Sequence, residues 1–122
     1  MDILSTVGAY LGVAGNEIAN IDDNRTGADD FAAAILLYGS DVIASIGSGM
    51  DLPEFPDDLK TGVSDKITGP AKITLRIASS MLMLAQTQVS GKAGIALRYI
   101  AQVVRNLISG TLPPVPPRPI VS

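Results

Sequence analysis

The chain has 122 residues, 47% of them apolar and only 17% charged, with a net charge of −3 and neither Cys nor His. A chain of this length forms one small domain, burying roughly 65% of its extended surface, and its charge is below the usual quarter. The missing thiols and imidazoles exclude disulfides, Cys or His metal ligands, the commonest general base, and Ser-His or Cys-His nucleophiles.

The charge is divided along the chain. Residues 1–66 carry twelve acids against Arg25, Lys60 and Lys66, a balance of −9, while residues 67–122 carry six bases and no acid, a balance of +6. Packing of a basic back half on an acidic front half would use that polarity within one subunit, and head-to-tail attraction would use it between subunits. Bases so widely spaced, without interleaved aromatics, argue against nucleic acid. The start Met-Asp-Ile lacks a basic n-region, so no secretory signal is expected. The longest uncharged run, residues 77–91, holds fifteen residues, short of the ~20 that span a bilayer. The expected setting is cytoplasmic or within a virion.

Residues 2–20 place Ile3, Val7, Leu11, Ala14, Ile18 and Ile21 at spacings of three and four, which predicts a helix with one apolar stripe. Asp2 suits its first turn. Gly8, Gly12 and Gly15 each weaken a helix by about 1 kcal/mol relative to Ala, but they share a flank and let a neighbouring backbone come close.

An acidic stretch follows at residues 22–30. It resembles an EF-hand calcium loop, with Asp22, Asn24 and Thr26 at positions 1, 3 and 5, Gly27 at the turn, Ala28 as carbonyl donor and Asp30 at position 9. The pattern departs at position 12, where Ala33 replaces the bidentate Glu, and at position 8, which is Asp29. The resemblance therefore implies at most a weak calcium or magnesium site. The other reading is a capped helix start. Thr26 caps a second helix over about residues 28–45, and Asp29 stands at capping-box spacing. Phe31, Ile35, Tyr38, Val42 and Ile46 form its stripe, widened by Leu36 and Ile43.

Gly47-Ser48-Gly49 ends that helix, and residues 50–66 read as a connector too rich in Pro and acid for a full helix. Leu52 and Phe55 are its expected anchors, with one short turn near residues 57–60 after Pro56. The third helix opens at Pro70 and carries two adjacent stripes, Ile73, Ile77, Met81, Leu84 and Leu75, Ala78, Leu82, Ala85, Val89. That coverage predicts a central helix with neighbours on two sides. Ser90-Gly91 turns the chain into a fourth helix, residues 92–109, burying Ala96, Ile100, Val103 and Leu107 and stopped by Gly110. Lys72, Arg76, Arg98 and Arg105 make the back half's basic face.

Five prolines in seven residues then predict an extended polyproline II arm over residues 111–122. Pro113, Pro114, Pro116, Pro117 and Arg118 match PxxPxR, which resembles a class II ligand for SH3 domains. Docking on an adjacent subunit is the competing expectation.

The adjacent carboxylate pairs, Asp22/Asp23, Asp29/Asp30 and Asp57/Asp58, do not converge on a point as acid–base catalysis requires. No Gly-rich phosphate loop occurs. The sequence thus reads as an all-α domain over residues 1–110, a four-helix bundle built from two hairpins, with an extended C-terminal arm. It points away from an enzyme and towards a self-associating structural subunit without a cofactor. By analogy alone, extended arms of this sort fit a phage, virion or shell component. The alternative is a small adaptor or weak calcium module.

Overall fold

Helix starts follow from the capping residues. In a computed structural model describing residues 2–21, 26–56, 59 and 65–110, Asp2 Oδ1 accepts the Ser5 N–H at 2.7 Å. Thr26 Oγ1 accepts the Asp29 N–H at 3.1 Å. Four helices result: α1 (Ile3–Ala19), α2 (Gly27–Ser48), α3 (Gly69–Gln86) and α4 (Gly91–Ser109), with no strand among the described residues. The fold is the expected all-α, bundle-like one. α2 and α4 stop at Gly49 and Gly110, whose φ angles of 71° and 76° lie in the left-handed region that disfavours a Cβ.

The α1–α2 hairpin closes along the glycine line. A Cβ on Gly8 would stand 2.9 Å from Ile43 Cγ2, and one on Gly15 would stand 2.9 Å from Leu37 Cγ and 3.1 Å from the Ala33 carbonyl oxygen. Ser40 Oγ donates across the same seam to the Gly8 carbonyl at 2.9 Å. The small residues that weaken α1 as an isolated helix are thus what lets α2 approach it.

One end of the bundle is closed by two carboxylates acting over long sequence distances. Asp65 accepts the Gly27 and Ala28 N–H groups at 3.0 and 2.8 Å, an anion on the positive end of α2. Asp29 is fully buried and accepts the Thr68 N–H at 2.9 Å and the Thr68 hydroxyl at 2.8 Å. Only the Thr26 half of the expected capping box forms. The shorter Asp29 side chain turns instead to the start of α3, 39 residues away.

This clamp puts the N-termini of α2 and α3 at the same end, so the two helices run the same way, and the topology is up-down-down-up. α1 and α4 each pack on both α2 and α3, and stand diagonally apart from one another. The connector returns the chain along α2, a helix about 33 Å long by its rise per residue. It is held by its anchors. Phe55 is buried, its ring edge-on to Tyr38 of α2 at 5.4 Å and to Tyr99 of α4 at 5.5 Å. The Tyr38 hydroxyl donates to the Pro53 carbonyl at 2.9 Å. Leu59 is buried and its N–H donates to the Pro56 carbonyl at 3.1 Å, while residues 57, 58 and 60 of the expected turn lie outside the described residues. Residues 51–56 of the connector therefore cover the groove between α2 and α4.

Two expectations need correction. α3 has neighbours on two sides, yet only the stripe with Leu75, Ala78, Leu82 and Ala85 is buried, while Ile73, Ile77 and Leu84 face outward. Counting uncharged runs also passes over α2, which by length and composition is long and apolar enough to cross a membrane. Asp41 interrupts its run without lowering its mean hydropathy far, and half of its apolar window is buried inside the bundle.

Candidate self-association surface

A helix turns by about 100° per residue, so the contacts that fix each helix's orientation also place its remaining side chains. On α1, the flank carrying Gly8, Gly12 and Gly15 meets α2. The opposite flank, carrying Ile3 and Tyr10, adjoins α1's other neighbour, α3. Gly8 against Ile43 and Tyr38 near Tyr99, through Phe55, set the hand of the bundle. Carried round to α3, that hand turns the flank with Ile73, Ile77, Met81 and Leu84 towards α1.

The result is an apolar surface across the α1–α3 groove, on the side of the bundle away from the connector. Ile3, Val13, Ile73, Ile77 and Leu84 are between 46% and 63% exposed, and Tyr10 and Met81 are half-buried beneath them. Antiparallel pairing sets Ile3 at the Leu84 end and Val13 at the Ile73 end. Burial raises the Tyr10 phenol's pKa, aided by the charge of Glu17 on the same rim. Single exposed apolar residues are ordinary, whereas several on one contiguous groove mark a contact surface.

The other flank of α3 carries Lys72 and Arg76, and the flank of α4 turned towards it carries Arg98 and Arg105. The fold thus gathers the four expected bases on the outer side of the α3–α4 pair, with no acid on either helix. Arg105 is held by a bond from its guanidinium to Gln102 Oε1 at 3.0 Å. The acids Asp30 and Asp41 lie exposed on α2, on the far side.

The residues of the calcium-loop pattern are only partly brought together. Thr26 is the α2 cap, and Gly27 to Ala33 are helical rather than loop. Asp30 is exposed on the first turn. Asp22 and Asn24 lie outside the described residues, as do Pro113, Pro114, Pro116, Pro117 and Arg118 of the arm. No group of three or more acids suited to a metal ion occurs among the described residues.

Sequence reasoning missed the Asp29–Thr68 and Asp65–α2 clamps. Their one local signal is Thr68-Gly69-Pro70-Ala71, a helix start without an acid of its own in the first turn.

No protein-family model, curated protein or solved structure matches the chain.

Proposed function

We propose that the chain is a non-catalytic assembly subunit whose copies associate through the α1–α3 groove and the C-terminal arm. The observation that carries this reading is the exposed line Ile3, Val13, Ile73, Ile77 and Leu84 in a domain with little charge elsewhere. Fully burying such a side chain is worth ~1.5–3 kcal/mol, so covering the exposed half of five contributes about 5 kcal/mol per copy. Association costs about 4–15 kcal/mol in lost freedom. Two grooves face to face would only just offset that, so helix faces alone give weak association and the arm must add to them. A body gripped by a neighbour's arm suits a component of a shell, tube or virion.

Light scattering over a dilution series tests this. Association that persists above ~0.5 M salt is expected, because screening weakens charge pairs and leaves apolar burial intact. A particle that stays monomeric at every concentration and salt refutes the reading.

α2 favours a second reading, association with a lipid bilayer, because it has the length and composition to enter one. Flotation with vesicles separates the two readings, since an assembly subunit stays with the aqueous fraction.

A further inference from the structure

We propose that the α1–α3 groove receives residues 111–122 of a second copy, an inference that rests on the self-association reading above. The molecule carries its own precedent. Its α2–α4 groove is covered by a proline-punctuated segment, residues 51–56 (Asp-Leu-Pro-Glu-Phe-Pro), which turns Asp51 and Glu54 to solvent and seats Phe55 between Tyr38 and Tyr99. The opposite groove has no such segment among the described residues. The sequence holds one further segment in which prolines alternate with apolar residues, Thr-Leu-Pro-Pro-Val-Pro-Pro-Arg-Pro-Ile-Val-Ser. Prolines bring no N–H that needs a partner, so such a strand can lie on aliphatic side chains. Leu112, Val115 and Ile120 supply its apolar contacts.

Length and charge select the arm of a second copy over the chain's own. The arm begins after Gly110, which packs beside Lys66 at the end where α3 starts. At ~3.1 Å per residue in polyproline II, twelve residues reach about 37 Å, while Ile73 to Leu84 rises only about 16 Å along α3. The surplus of about 20 Å suits a strap crossing between bodies. Arg118 is the only charged side chain in the segment, and an acid on the groove's rim among the described residues is the exposed Glu17, near the start of α3. A chain's own arm is tethered at Gly110, which fixes the end from which it enters the groove and so its direction there. A neighbour's arm, free in direction and register, sets Arg118 against Glu17.

Two full-length variants test the exchange. Ile77→Asp spoils the groove and Val115→Asp spoils the arm. Each alone is expected to be monomeric by light scattering, whereas an equimolar mixture forms a heterodimer, because one intact arm meets one intact groove. Circular dichroism checks that Ile77→Asp, at a half-exposed position, keeps its helices. Charge reversal gives an independent measurement. Glu17→Arg is expected to weaken association several-fold, and adding Arg118→Glu to restore it. Val115→Asp assembling like the wild type overturns the arm exchange and leaves groove-to-groove association standing; no heterodimer in the mixture overturns the arm exchange as well. A wild-type protein that never associates removes the self-association reading itself.

Discussion

Gly15→Ala and Gly47→Ala make the same chemical change in two helices of this bundle, and the structure predicts opposite signs. Each substitution gains up to about 1 kcal/mol of helix propensity, less for Gly47, which lies in the last turn of α2. Around Gly47 nothing lies within 4 Å of the new methyl group, so that gain stands. At Gly15 the methyl would lie 2.9 Å from Leu37 Cγ and 3.1 Å from a backbone carbonyl, that of Ala33. Leu37 can turn aside, but the carbonyl moves only if α2 moves. Overpacking of this kind costs about 1–3 kcal/mol. The net expectation is about 0–2 kcal/mol of destabilisation for Gly15→Ala and about 0.5 kcal/mol of stabilisation for Gly47→Ala. Gly8→Ala should fall between them, because its obstacle, Ile43 Cγ2 at 2.9 Å, is a side chain. Urea denaturation of dilute protein, where association adds nothing to apparent stability, reads each difference as a shift in midpoint at constant slope. Gly15→Ala moving the midpoint in the same direction as Gly47→Ala would refute the close approach of α1 and α2.

Asp29→Ala leaves both the N–H and the hydroxyl of Thr68 without their acceptor and should cost about 2–4 kcal/mol by thermal or urea melting. Asp29→Asn, which keeps an acceptor for the N–H, should lose much less. The Asp2 carboxyl is held below its ordinary pKa of 3.8, chiefly by the backbone N–H of Ser5. A lowered pKa means that its capping contribution is complete above about pH 4 and is lost as pH falls through the depressed value. The protection factors of the first-turn amides of α1, exchange rates divided by the intrinsic rate at each pH, should therefore fall below pH 4 in the wild type and stay level over that range in Asp2→Asn. Gln86 holds a buried side-chain nitrogen without a hydrogen-bond partner among the described residues. Gln86→Met removes that donor at similar length, and is expected to be neutral or to stabilise by about 1 kcal/mol in the same melts.

Periodicity made the four helices legible, because apolar residues at three- and four-residue spacing define a buried line whatever lies against it. The glycine flank of α1, the Thr26 cap, and Phe55 as a connector anchor were legible for the same reason: each works through neighbours in sequence or through a residue type with one strong preference. The clamps were not. Asp29 and Asp65 look like any surface acids in a polar stretch, and what distinguishes them is a partner brought near by the turn of the whole connector. The exposure of Ile73, Ile77 and Leu84 was hidden too. A pattern says which residues are apolar but not how many faces the fold has helices to cover, and with α1 and α4 diagonal, α3 has cover on only part of its girth. The candidate surface was therefore readable as composition but not as location.

The carboxylate latch between the starts of α2 and α3 also bears on the order in which the chain folds. Each hairpin, α1 with α2 and α3 with α4, closes over a short stretch of chain and can form early. The Asp29–Thr68 bonds must wait until residues 49–68 have been laid down and their loop entropy spent. Substitutions at this latch should hasten unfolding while leaving the refolding rate nearly unchanged, the result expected if one finished hairpin docks on the other last.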